Sequence, residues 1–336
     1  MASRVSVLGA GSWGTALALH LGRLGHRVTL WGRSAAVVES LGAADEAADQ
    51  AGGDVPRQLA VTTDLEAACR EAEVLVVACP SHAVRELGGR IQVWVPGRCL
   101  VVATAKGIER GTHLLMTAIL EEVLVGTGAK VGVLSGPSFA KEVALGMPTA
   151  VTAAAAEQAT AEGVQAIFNG PTFRVYTSTD VVGVQIGGAA KNVVALAAGV
   201  SDGMGFGSNT RAALITRGLA EVTRLAVAVG ANPQTLAGLS GMGDLVLTCT
   251  GDLSRNRQVG LRLGRGESLS SIVASMHEVA EGVHNTRSVA SMAAAAGVEM
   301  PIAQQMYLVV EEGKDPKSAV VDLMTRRLRS ELDDPE

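Results

Sequence analysis

Aromatic residues are scarce in this 336-residue chain, at 3%, so its core must be built from aliphatic side chains. Cysteine is sparser still, at four residues. Cys69, Cys79, Cys99 and Cys249 show neither a CxxC pair nor zinc-ligand spacing, which excludes a disulfide scaffold and a structural zinc site. They read as small buried apolar residues. The six histidines form no HExxH pair, and no metal is expected. Basic charge is not in excess. The 28 Lys and Arg against 33 Asp and Glu leave a formal net charge of −5, which argues against nucleic acid as a partner. No uninterrupted apolar run reaches the roughly 18–20 residues of a bilayer crossing, so no membrane span is expected. The opening MASRVSVLGAG lacks the apolar stretch and cleavage site of a signal peptide, which makes the cytoplasm the expected location. What the chain has is aliphatic material and glycine: 48% hydrophobic residues, 18% charged, and 40 glycines. That suffices for sizeable cores, and the length suggests two domains at roughly 100–200 residues each.

Short apolar runs mark the first half: Val5–Leu8, His26–Trp31, Glu73–Ala78, Cys99–Ala103 and Lys130–Leu134, with a weaker one at Val61–Thr62. Between the first two, Ser12–Leu24 has helical spacing, with Leu17, Leu21 and Leu24 on one face. Ala150–Ala155 and Phe173–Thr177 add two more strands. Apolar strands separated by helices predict a parallel sheet covered on both faces. After about Asp180 the strand signal ends and periods of three to four dominate, broken by Gly-rich stretches at 201–208 and 238–243. The expected fold is an α/β Rossmann-type doubly wound sheet over residues 1–180, followed by an all-α domain over 181–336.

Gly9-Ala10-Gly11-Ser12-Trp13-Gly14 is a GxGxxG that follows the first strand and opens the first helix. In that context Gly9 permits the tight turn, Gly11 lets the backbone approach a pyrophosphate, and Gly14 lets helix and strand pack closely. The helix N-terminus supplies free N–H groups and partial positive charge for the anion. The next strand ends in Gly32-Arg33-Ser34, without the acid that selects NAD. Arg33 is either a solvated surface residue or a partner for a 2′-phosphate, and the second reading admits NADPH.

Ligands of doubly wound sheets bind outside the carboxyl ends of the strands. Three such ends carry polar residues here: Cys79-Pro80-Ser81-His82, Thr104-Ala105-Lys106-Gly107-Ile108-Glu109, and Ser135-Gly136-Pro137-Ser138-Phe139-Ala140-Lys141-Glu142. Lys106, directly after a buried strand, either points at the cofactor or is solvated. His82 is either a base or, sitting three residues into a helix start, a capping or solvent-facing residue, and the second reading is favoured. Ser138 to Lys141 also fits the SxxK of serine acylases, but no KTG accompanies it. In the helical half, Gly187-Gly188-Ala189-Ala190-Lys191-Asn192 sets a lysine in an apolar helix. Such a lysine either snorkels to water or sits desolvated, and desolvation suits a general base. Ser240-Gly241-Met242-Gly243-Asp244 puts one acid in a Gly-rich loop. Ser254 reads as a helix N-cap with Arg255 and Asn256 in the first turn, a ready phosphate site.

These segments, GAGSWGTALA, TAKGIE, LSGPSFAKEV, GGAAKNVVALAAG, GLSGMGDLVLTCTG and SRNR, closely resemble bacterial NAD(P)-dependent glycerol-3-phosphate dehydrogenases, in the same order over nearly the whole chain. The resemblance implies interconversion of sn-glycerol 3-phosphate, a small phosphorylated substrate, with dihydroxyacetone phosphate, supplying the backbone of glycerophospholipids. It implies NADP(H) or NAD(H) as cofactor and a homodimer. By position it implies cofactor contacts at Ser12, Trp13, Arg33, Lys106, Ala140, Arg255, Val279 and Glu281. It implies substrate contacts at Lys106, Gly136, Ser138, Lys191, Asp244, Ser254, Arg255 and Asn256, with Lys191 as proton acceptor. Two departures stand out. The segment Asp49–Pro56 lacks the family's Asn-x-x-Tyr-Leu-Pro-Gly, and Cys79 replaces a valine.

Oxidising a secondary alcohol needs a base, a group that steadies the developing alkoxide, and a clamp. The expected catalytic residues are Lys191 as base, Lys106 as alkoxide stabiliser and Asp244 as the group that orients Lys191. Two rivals are a β-hydroxy-acid dehydrogenase, which would not need the Ser254–Asn256 phosphate site, and a non-catalytic NADP(H)-binding redox sensor, which would need only residues 1–180.

Overall fold

The computed structural model describes residues 2–40, 59–276, 280–328 and 330–331. Eight strands form one sheet: β1 (Arg4–Leu8), β2 (Arg27–Trp31), β3 (Leu59–Thr62), β4 (Val74–Val77), β5 (Leu100–Ala103), β6 (Lys130–Ser135), β7 (Thr149–Ala154) and β8 (Phe173–Ser178). Their spatial order is β3-β2-β1-β4-β5-β6-β7-β8, so the chain reverses direction across the sheet between β1 and β4. Alternate residues of one strand serve two cores. On β4, Val74 and Val76 join one apolar cluster and Leu75 and Val77 the other, which is why VLVV is apolar throughout rather than alternating. Each such buried Val or Leu contributes about 1.5–3 kcal/mol.

The sheet is parallel except at one pairing: β7 runs antiparallel to β6. The expectation of a wholly parallel sheet is corrected there. The only helix between them is the five-residue Ala140–Ala144. At about 1.5 Å per residue it covers roughly 7–8 Å, too little to return the chain along a strand of roughly 20 Å.

From Val181 onward the described secondary structure is helical. The 23-residue helix Val181–Gly203 is its axis, buried from Gly183 to Ser201. An apolar helix of this kind is stable only when surrounded. Asp180 caps it, its Oδ1 accepting the Gly183 N–H at 2.8 Å. Among the described residues this helix alone is long and apolar enough to cross a membrane, and 89% of its most apolar window is buried inside the protein. Helix Arg255–Gly264 crosses it with backbones in contact. A Cβ on Gly199 would lie 2.0 Å from the Arg257 carbonyl oxygen, and one on Gly260 2.1 Å from that of Leu196. This crossing seats the first turn of Arg255–Gly264 beside the middle of the long helix, where Lys191 and Asn192 lie. Cys69, Cys99 and Cys249 are buried and Cys79 is half-buried, all four unbridged.

Candidate active site

The glycine loop lies at the chain reversal between β1 and β4. Gly9 has φ +134°, and a Cβ there would sit 2.7 Å from the Ala78 carbonyl oxygen. Gly14 lies so close to the loop that its Cβ would be 1.8 Å from the Gly9 oxygen. Gly11 differs: no atom lies within 4 Å of where its Cβ would be, so its backbone is open to an approaching ligand. It is the N-cap of helix Ser12–Arg23 and makes no side-chain cap bond, leaving the first-turn N–H groups to an anion. Gly11, Ser12, Thr15, Ala140 and Lys141 help to line a cavity of about 540 Å³. Trp13 is half-buried beside the loop, and Arg33 is exposed just after β2. These residues fit a dinucleotide pyrophosphate: an unobstructed backbone, uncapped donors and an adjoining hollow. Val279 and the Asp49–Pro56 segment lie outside the described residues.

The second group is built around one carboxylate. Lys106, three residues beyond β5, donates from Nζ to Asp244 Oδ2 at 2.7 Å and to the Gly136 carbonyl at 3.0 Å. Lys191 Nζ donates to Asp244 Oδ1 and to Thr248 Oγ1, the latter at 2.7 Å. Asp244 is 1% exposed and the Lys191 side chain 8%, while Lys106 keeps 18%. Two lysines from different halves of the chain thus share the two oxygens of a buried aspartate. Burial pushes the Lys191 pKa down to about 7. The charge of Asp244 pulls it upward, and Lys106 presses it down further. Gly187 and Gly188 make the approach possible. A Cβ on Gly187 would meet the Ser240 carbonyl oxygen at 2.5 Å, and one on Gly188 would lie 2.9 Å from the Ser135 hydroxyl, with the Lys106 stem next at 3.4 Å. Asp244 is not in a loop, as its glycine neighbours suggest. A π-helical turn, Leu239–Gly243, leads straight into helix Asp244–Thr250 and puts Asp244 on its first turn. The reason is close packing: Gly241 runs against Leu236, where a Cβ would come within 2.1 Å of the carbonyl oxygen.

Gly136 and Ser138 join this group, since the Ser138 hydroxyl donates at 3.1 Å to the carbonyl that also receives Lys106. Ser254 caps helix Arg255–Gly264, accepting the Arg257 N–H at 3.2 Å. Asn256 is buried and tied to the lysine helix: its Nδ2 donates to Asn192 Oδ1 at 2.8 Å, and its Oδ1 accepts the Gly282 N–H at 2.9 Å. Arg255 stands on the exposed side of the same turn. Arg257, its neighbour in the motif, is an ion-pair partner of Asp202 at 2.8 Å. Glu281 opens helix Glu281–Ala295, and its carboxylate accepts both the backbone N–H (3.0 Å) and the hydroxyl (2.6 Å) of Ser81. His82 is exposed beside His284.

Three polar residues were not singled out from sequence. Thr248 holds Lys191, Asn192 holds Asn256, and Asn285 donates to the carbonyls of Lys106 (2.8 Å) and Ala189 (3.3 Å). The signal for Thr248 was its i+4 spacing from Asp244 on one helix, but only once that segment is known to be helical.

The profile of the NAD-dependent glycerol-3-phosphate dehydrogenase N-terminus matches residues 4–161, and that of the C-terminus matches residues 180–321. The chain is 53% identical over 331 residues to the glycerol-3-phosphate dehydrogenase [NAD(P)+] of Myxococcus xanthus, covering 98% of this chain and 99% of that one. It is 51% identical over 333 residues to the protein of the same name from Citrifermentans bemidjiense, with the same coverage. A crystal structure of glycerol-3-phosphate dehydrogenase from Coxiella burnetii superposes with a TM-score of 0.90 at 37% identity, covering 97% of this chain and 99% of that one. The chain therefore belongs to the NAD-dependent glycerol-3-phosphate dehydrogenase family.

Proposed function

We infer that the chain interconverts sn-glycerol 3-phosphate and dihydroxyacetone phosphate with NAD(H) or NADP(H). The observation that carries the chemistry is the single buried carboxylate shared by Lys106 and Lys191. A base that takes a hydroxyl proton must be neutral before it acts. Burial holds Lys191 near pKa 7, so a substantial share of its amine is neutral at neutral pH. Asp244 and Thr248 engage two directions of that nitrogen and leave a third for the substrate hydroxyl. Lys106, held by Asp244 and the Gly136 carbonyl, steadies the oxygen as it becomes an alkoxide. In the reverse direction Lys191 returns the proton to the carbonyl oxygen.

Gly136, Ser138, Ser254, Arg255 and Asn256 bind the glycerol phosphate, with the helix N-terminus at Arg255 taking the anion. Gly9, Gly11, Ser12, Trp13 and Gly14 hold the cofactor's pyrophosphate, with Arg33, Lys106, Ala140, Arg255, Val279 and Glu281 as further cofactor contacts. The nicotinamide, when bound, supplies or accepts the hydride. This reading divides the chain into a cofactor-binding domain, residues 1–180, and a helical substrate-binding and catalytic domain, residues 181–336, each lending residues to the other's site. It also places the enzyme in the cytoplasm as a homodimer that supplies glycerol 3-phosphate for glycerophospholipids. Absorbance at 340 nm, followed with dihydroxyacetone phosphate and each reduced cofactor in turn, tests it. Substrate-dependent loss of absorbance is expected, and no loss with either cofactor would refute the reading.

A further inference from the structure

Lys106 and Lys191 reach Asp244 from two separate elements, the loop after β5 and the helix Val181–Gly203. Their meeting depends on how that loop is fixed to that helix. Asn285, 1% exposed, lies between them. A primary amide has two N–H donors, and both are used here. One goes to the carbonyl of Lys106 at 2.8 Å, the other to that of Ala189 at 3.3 Å, two residues before Lys191. The amide oxygen sits against the same loop, 3.1 Å from where a Cβ on Gly107 would be. One turn earlier on the same helix face, Glu281 grips Ser81, and Ser81 packs on Gly107, 2.4 Å from where the same Cβ would be. Helix Glu281–Ala295 thus holds the Lys106 loop directly through Asn285 and, four residues earlier, indirectly through Glu281 and Ser81.

We propose that Asn285 is a positioning residue, holding the Lys106 loop in register with the Lys191 helix through the two hydrogen bonds of one side-chain amide. Its kinetic consequence rests on the function proposed above, but its structural consequence does not. Without the amide, Lys106 moves relative to Asp244. The titratable groups facing Lys191 are Asp244, Lys106 and the buried Cys249 thiol. Withdrawal of Lys106 removes a positive neighbour and leaves Asp244 more fully to Lys191. Both changes raise the Lys191 titration midpoint.

The chain has six lysines, so protein labelled with [13C]lysine gives a side-chain spectrum simple enough to titrate. Lys191 is assigned by the signal missing in Lys191→Met. In Asn285→Leu, similar in volume but without donors, the Lys191 midpoint is expected to rise. The kcat is expected to fall by roughly 10–100-fold, with KM for dihydroxyacetone phosphate little changed, as for a catalytic group displaced by about 1 Å. Asn285→Ser, which also removes the amide, serves if the leucine variant does not fold. An unchanged Lys191 midpoint in a folded variant overturns the proposal, whatever happens to kcat, because a general loss of stability would not move that midpoint. A raised midpoint in an enzyme whose wild type ignores dihydroxyacetone phosphate would refute the proposed function and leave the positioning role standing.

Discussion

Lys106 donates from Nζ to Oδ2 of Asp244 at 2.7 Å, joining the loop after β5 to a helix 138 residues further along the chain. The acceptor is almost fully buried, so this contact closes only when the sheet and the helices are docked together. Removing one partner of a buried pair costs about 3–5 kcal/mol, which makes the site also a joint between the two halves of the molecule.

Arg33 stands exposed after β2, where an acid would repel a 2′-phosphate. Arg33→Asp is expected to weaken NADPH binding roughly 10–150-fold, the equivalent of a charge-assisted hydrogen bond of about 1.5–3 kcal/mol, and to affect NADH far less. Fluorescence titration with each cofactor reads this directly. Equal losses for both would show that Arg33 does not read the 2′-phosphate.

Much of the frame was legible because it rests on local patterns. The glycine loop announces itself by position, between an apolar strand and a helix start. Ser254 was readable as a cap because capping spans only three residues. Lys191 stood out as the lone lysine in an apolar helix. Asp244 was expected as its orienting group, but its glycine neighbours suggest a loop rather than a helix start, and Thr248, 57 residues from Lys191, was not singled out. Glu281 was legible only by resemblance, and its contact with Ser81, 200 residues distant, leaves no local trace. The antiparallel β7 was missed for a related reason: the residues between β6 and β7 look helical, and only the helix's length shows that it cannot span the sheet.

Gly260 lies in the backbone-to-backbone crossing that seats the Ser254–Asn256 turn. Gly260→Ala would put a methyl group 2.1 Å from the Leu196 carbonyl oxygen and force the helices apart. A loss of about 1–3 kcal/mol or more is expected in urea unfolding. Gly89→Ala, a helical glycine with open space around it, is expected to gain up to about 1 kcal/mol. Similar values for the two would mean that the crossing is not tight.

Glu221 is buried, and its carboxylate accepts the backbone N–H groups of Ile302 (2.9 Å) and Ala303 (3.3 Å) at the start of helix Pro301–Glu311. Burial nevertheless pushes its pKa up to about 7 from the ordinary 4.5. The folded state therefore holds a proton that the unfolded state has lost between these values. The associated stability is fully present below about pH 4.5 and is lost as pH rises through about 7. Wild type is expected to lose stability relative to Glu221→Gln across that window. Parallel unfolding free energies from acid to neutral pH would contradict this.

The central claim is that Lys191 moves the proton. The most direct measurement is the pH dependence of turnover for glycerol 3-phosphate oxidation by wild type and Lys191→Met, which keeps most of the side chain's bulk. In wild type the rate should rise with pH through about 7, as the buried ammonium gives up its proton. In the variant, turnover should fall by about 10²–10⁴-fold and that rise should vanish, with cofactor binding retained. Near-normal turnover with the same pH profile would contradict the account and move proton transfer to Lys106 or to water.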